Sequence, residues 1–318
     1  MIYLSSLLIG FSFILLGCPA SNNPASFNNP YPYLSQWGSS GTGNGNFSCP
    51  EGVAINSAGT TVYVVDLNNA RVEIFSATGT YHGQWGSSGS GPGSFIGPTA
   101  VAVNSAGTTV YVANTGCQRI DYFSPTGTYL GTWGSSGTAS GDFQNPEGIA
   151  VNSSGTTVYV TDSGNNRVEY FDPLGNYLGQ WGGSGTGSGD FSGPVGVAIN
   201  SSGTTVYVTD SGNNRVEYFD SLGDYLGQWG GSGSGNGNFA SPYGVGINPA
   251  SAKVYVVDKA NQRVQYFSST GSYLGQWGGS GDKNGSFTNP LYLAVNSAGT
   301  TVYVTDSGNN RVEYFTAP

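Results

Sequence analysis

The chain has 318 residues, of which 53 are Gly, 21 are Tyr and only 8% are charged. Its formal net charge is −9, so it lacks the basic surface that displaces phosphate counterions, and a nucleic-acid partner is not expected. Aromatic residues make up 13%, too many for a disordered chain. Runs of β-branched residues and Tyr, separated by Gly/Ser/Asn clusters, predict an all-β protein.

Residues 1–17 contain no charged side chain and carry an apolar run from Leu7 to Leu16. The run is short for a membrane span and suits the hydrophobic region of a signal peptide. It ends in Leu15-Leu16-Gly17-Cys18, followed by a Pro/Ser/Asn-rich stretch through residue 30. Leu-x-Gly-Cys in this setting resembles a bacterial lipobox, in which the Cys is acylated and becomes the mature N-terminus. Plain cleavage and an uncleaved anchor are the alternatives. The expectation is a signal peptide over 1–17 and a flexible tether over 18–30. The protein is then exported to the cell envelope or cell surface, touching the membrane only through a lipid on Cys18.

From residue 31 onward the sequence repeats. Trp37, Trp85, Trp133, Trp181, Trp229 and Trp277 recur every 48 residues, as do Arg71, Arg119, Arg167, Arg215, Arg263 and Arg311. Residues 31–318 make six units of 48 with no insertion or deletion. Within one unit, Gly148 to Val151, Val158 to Asp162, Arg167 to Phe171 and Tyr177 to Trp181 read as four strands. Asn152 and Gly155 mark the first turn, by Asn side-chain capping and a positive Gly φ. Four strands repeated six times predict a six-bladed β-propeller with four-stranded antiparallel blades. The first strand, Tyr33 to Trp37, is a lone fourth strand, whereas the last, Arg311 to Phe315, is a third. The N-terminal strand therefore completes the last blade and closes the ring, which removes two open sheet edges.

Pro146-Glu147-Gly148-Ile149-Ala150-Val151, then Val158-Tyr159-Val160-Thr161-Asp162-Ser163-Gly164-Asn165-Asn166-Arg167-Val168, resembles the NHL repeat, and the resemblance extends over residues 31–318. It implies a six-bladed propeller. It leaves function open, because the family includes RNA- and protein-binding modules, receptor sensor domains and extracellular scaffolds. Related propellers include peptidyl-hydroxyglycine lyases, lactonases and streptogramin lyases, which work through a metal or paired His at the central channel. Here His82 is the single His, and one His makes neither a zinc cage nor a His relay. No cofactor, no metal site and no catalytic set is expected.

Two features remain as binding candidates. Asp162 precedes Arg167 by five residues, as Asp66, Asp210, Asp258 and Asp306 precede their Arg, so a pair within each blade is expected. Asn114 breaks the pattern, which leaves Arg119 as the candidate ligand donor. The position after the Pro that enters each first strand is variable: Glu51, Thr99, Glu147, Val195, Tyr243 and Leu291, with Tyr292 next to it in the last unit. Strand order puts these residues at one mouth of the channel. Glu51, Thr99, Glu147, Tyr243, Tyr292 and Arg119 are therefore the candidate contacts. The expected function is a monomeric, non-enzymatic scaffold that recognises a protein or glycan through one face. A lyase or lactonase at the channel is the alternative. Cys49 and Cys117 fall on the same face, in different units.

Overall fold

A computed structural model describes residues 33–318. The segments expected to be signal peptide and tether, and with them Cys18, lie outside the described residues. The fold is all-β: six four-stranded antiparallel sheets, each a blade of a closed six-bladed propeller. Blade three is typical, with an inner strand Pro146–Val151, a second strand Val158–Asp162, a third strand Arg167–Phe171 and an outer strand Tyr177–Trp181. The inner strand starts two residues earlier than the sequence pattern implied.

Sequence chemistry explains each turn. Between the inner and second strands, the Asn152 side-chain oxygen accepts from Thr156 N at 2.8 Å, and Gly155 sits at φ 70°. Between the third and outer strands, Gly175 at φ 90° lies so close to Trp133 of the preceding blade that a Cβ would approach its ring to 2.5 Å. Glycine is thus required there twice, by conformation and by space. The Trp rings are the cement between blades. Trp85 packs edge-on to Tyr63 of its own blade and against Phe123 of the next, with ring centroids 5.9 and 5.6 Å apart.

The outer strand of blade six is Tyr33–Trp37, which pairs antiparallel with Arg311–Thr316. The junction of blades six and one is equivalent to the others. Tyr303 Oη donates to the Ala77 carbonyl at 3.1 Å, as Tyr159 Oη donates to Ser221 at 3.1 Å between blades three and four. Every inner strand also contacts the inner strands on both sides, including blade six against blade one.

In every blade the inner strand bulges immediately after its entering Pro. Pro146 pairs with Asp162, but the next pairing is Ile149 with Val160, and the other five blades repeat the irregularity. A bulge re-aims the side chains it contains. Those residues are the variable ones: Glu51, Thr99, Glu147, Val195, Tyr243 and Leu291.

Candidate axial site

The Asp–Arg pairs form, and they are internal fasteners. In blade three, Arg167 Nε donates to Asp162 Oδ2 at 2.8 Å. Its two terminal nitrogens reach the carbonyls of Thr138, Ala139 and Asp142 and the Gln180 side chain. One guanidinium thus ties the second and outer strands of a blade to the Gly-rich connection that enters it. The expectation of an unpartnered donor at Arg119 is corrected. Asp121, two residues on, lies 2.9 Å from its Nε, and its remaining nitrogens bond the carbonyls of Ser90, Gly91 and Ser94. Asn114 does not leave the arginine without a carboxylate, because the acid has moved to the next strand.

The variable positions are brought together at the axis. Tyr243 of blade five donates to Glu147 Oε2 of blade three at 3.3 Å, and Tyr292 of blade six donates to the Glu147 carbonyl at 3.1 Å. Thr99 of blade two donates to the same carbonyl at 3.0 Å and shares a 2.7 Å hydrogen bond with Thr115. Blades three and six face each other across a six-membered ring, so side chains that meet between them bridge the channel. Tyr243 and Tyr292 pack edge to face, 5.2 Å between centroids. The backbone under these residues is fixed as well: Thr209 Oγ1 donates to the Tyr243 carbonyl, and Tyr292 N donates to Thr305 Oγ1 at 3.0 Å.

These residues are buried or partly buried. Glu51, Thr99 and Tyr292 are 8%, 7% and 8% exposed, while Glu147 and Tyr243 keep partial contact with solvent. Val195 and Leu291 complete the ring of variable positions as buried apolar groups.

The sequence reading missed Lys259, which directly follows the second strand of blade five, Val254–Asp258. Its ammonium lies 4.4 Å from the Tyr243 ring centroid, a cation–π contact. It is electrostatically coupled to both Glu51 and Glu147. The signal was available, since Leu67, Thr115, Ser163, Ser211 and Ser307 occupy the equivalent positions and lysine is the one charged departure.

Burial governs the electrostatics. It raises Glu51 well above the usual carboxylate range, with the Glu147 charge adding and Lys259 opposing. It pushes Glu147 up to about 7, against the Tyr243 hydrogen bond and Lys259. Burial also lowers Lys259, against the two glutamates. One oxygen of the buried Glu51 carboxylate, Oε2, has no hydrogen-bond partner. The site thus offers two acids, an amine of lowered basicity and two aromatic faces. Among the described residues, no cluster of three or more His, Cys, Asp or Glu side chains is placed to hold a metal. His82 is exposed on an outer strand. Cys117 is a free thiol, so it does not pair with Cys49.

The fold agrees with that of known proteins to which the chain is similar. Residues 143–171 and 191–219 match the NHL repeat model, and residues 48–135 match a six-bladed β-propeller domain. The chain carries NHL repeats. No curated protein matches the sequence. Among solved structures, a streptogramin B lyase superposes with a TM-score of 0.61 at 14% identity, covering 89% of this chain and 97% of its own. An auxiliary nutrient binding protein from Bacteroides thetaiotaomicron gives 0.65 at 12%, covering 85% and 69%. Hydrazine synthase of Kuenenia stuttgartiensis gives 0.60 at 14%, covering 86% and 97%. At such identities the likeness extends to the fold alone, and its bearers include enzymes and a binding protein.

Proposed function

We propose that this propeller is a binding protein outside the cytoplasm. Its protein or glycan partner places a hydrogen-bond-donating or cationic group at the axial mouth, against Glu51 and Glu147. The observation that carries the reading is the unpartnered Glu51 oxygen in a side chain 8% exposed. Leaving a buried acceptor unpaired costs about 1–3 kcal/mol, and a donor from a ligand offsets that cost. The asymmetry supports the same reading. Fasteners recur blade after blade, whereas the axial position carries five residue types over six blades, glutamate alone recurring, in blades one and three, as suits recognition of an asymmetric ligand.

Oligosaccharide and peptide arrays probed with the parent and with Glu51→Gln plus Glu147→Gln test this reading. Selective loss of signal in the variant is the expected result. Substitution of Ser105 and Ser153, in turns at the other end of the blades, should leave binding intact. Equal binding by the parent and the axial variant overturns the placement.

The export reading rests on the Leu15-Leu16-Gly17-Cys18 motif. Mass spectrometry of the mature N-terminal peptide tests it: an acylated Cys18 supports it, and a peptide retaining Met1 overturns it.

One observation favours an enzyme as the second reading. Glu147 near 7, coupled to a lysine of lowered basicity, is a pair suited to general acid–base work at neutral pH. Turnover of lactones that survives chelators and disappears in Glu147→Gln would favour it over simple binding.

A further inference from the structure

The six Arg fasteners hide a regularity of charge. Each contains an arginine and two further groups, at the positions of Asp66 and Glu73 in blade one. In blade five the second group is an amide: Gln265 Nε2 donates to Asp258 Oδ2 at 3.0 Å and to the Asn238 carbonyl at 2.7 Å. In blade two the first group is the amide, and Asn114 Nδ2 donates to Asp121 Oδ2 at 2.7 Å. These two blades make the same contact from opposite sides, and each holds one arginine, one carboxylate and one neutral donor.

Blades one, three, four and six hold two acids in that contact, all of them fully buried. The aspartate takes the greater number of donors, although each arginine also lies 3.1–3.4 Å from Oε1 of the glutamate. Asp66 accepts from Ser48 N, Asn69 Nδ2 and Arg71 Nε at 2.7, 2.7 and 2.8 Å. The glutamate is oriented as Gln265 is. Glu73 Oε1 accepts from Gly45 N at 3.2 Å, as Gln265 Oε1 accepts from Gly237 N at 2.9 Å. Its Oε2 therefore occupies the place of the Gln265 amide nitrogen, beside two acceptors. Glu73, Glu169, Glu217 and Glu313 each leave Oε2 without a donor.

We propose that these four glutamates are built into the fold as neutral carboxylic acids, each donating its proton from Oε2 to the neighbouring aspartate. The proton does in four blades what an amide does in the other two. Every fastener then carries one positive and one negative charge. Burial, the leading cause, holds Glu73, Glu169 and Glu217 near 7 and Glu313 near 8. The charged neighbours are Asp66 and Arg71 for Glu73; Asp162, Arg167 and Asp142 for Glu169; Asp210, Arg215 and Asp190 for Glu217; and Asp306 and Arg311 for Glu313. Tyr81 and Tyr33 are the titratable groups facing Glu73 and Glu313 from the outer strands.

An acid whose pKa is higher folded than unfolded contributes stability that is complete below its unfolded value and is lost as pH rises through the folded one. The contribution of these four sites is therefore greatest in acid, and is lost between about pH 5 and 8 as they are pushed toward ionisation. The test compares the full chain with a variant carrying Glu73→Gln, Glu169→Gln, Glu217→Gln and Glu313→Gln, a substitution that blade five already contains.

At pH 6 the parent should release about four more protons on unfolding than the variant. Its infrared spectrum should also hold a protonated-carboxyl band that the variant loses. The melting temperature of the parent should fall from pH 5 to 8 more steeply than that of the variant. Equal proton release, or an infrared difference showing only ionised carboxylates, overturns the proposal. If the quadruple variant does not fold, Glu313→Gln alone is read in the same way, with a difference of about one proton.

Discussion

The Tyr292 hydroxyl lies 3.1 Å from the carbonyl oxygen of Glu147, a contact between opposite blades of the ring. The same carbonyl also accepts from Thr99. Tyr292→Phe removes one donor, leaves the acceptor partnered and keeps the ring contact with Tyr243. The expected loss is about 1 kcal/mol, the net worth of a neutral hydrogen bond, read as a lower urea midpoint at unchanged slope. A loss of several kcal/mol would mean that the tyrosine is a structural plug and not part of a binding surface.

Removing a fastener should cost more. Arg167→Ala strands Asp162 in the interior and frees the carbonyls of Thr138, Ala139 and Asp142. Breaking a buried pair by deleting one partner costs about 3–5 kcal/mol. Hydrogen exchange should rise first in the Gly-rich connection that carries those carbonyls. Arg167→Lys should recover only part of the loss, because an ammonium lacks the planar fork that reaches five acceptors at once.

Closure of the ring is tested by deleting the outer strand of blade six, Tyr33–Trp37. The deletion empties the place of Trp37 against Phe75, Tyr303 and Tyr314. Loss of a large core aromatic costs about 3–5 kcal/mol, and the exposed third strand invites edge pairing. A lower melting temperature together with concentration-dependent association is expected. An unchanged, monomeric protein would contradict the closed ring.

Binding at the axis should depend on pH in the opposite sense to stability. Glu147 is raised to about 7, so it offers a ligand donor a full negative charge and two accepting oxygens only after losing its proton. Affinity for a cationic or hydroxyl-bearing probe should increase as pH rises through about 7, and Glu147→Gln should flatten that dependence. In the ligand-free protein the same raised pKa contributes stability below about 4.5 that is lost as pH rises toward 7. Affinity that falls with rising pH would assign recognition to another group.

The blades were legible because their signals are local and repeated. Gly155, Asn152 and the Trp series each report a turn or a contact that depends on residues close by or one unit away. The axial residues were legible by contrast, since Glu51 and Tyr243 break an internal rule. Their burial was not. It follows from the bulge after each entering Pro and from the narrowness of the axis, where side chains from distant units meet. Lys259 was missed because only one of the two variable positions facing the axis was compared across units. Arg119 was misjudged because the compensating acid, Asp121, sits on the next strand, and spacing along the chain does not reveal which of two acids an arginine reaches.

The pairing of Tyr33–Trp37 with Arg311–Thr316 reverses the order of synthesis: the first of these strands to be made is the last to find its place. Its partner is made only after blades one to five, so the seam closes only after one long-range search. Local hairpins form in microseconds, whereas contacts of such separation set the slow end of folding. A chain held extended until it is complete, as export through a narrow pore would hold it, would keep the waiting strand from pairing wrongly with the outer edge of another blade. Opening should begin at the same seam, because there alone does a blade depend on two distant stretches of chain.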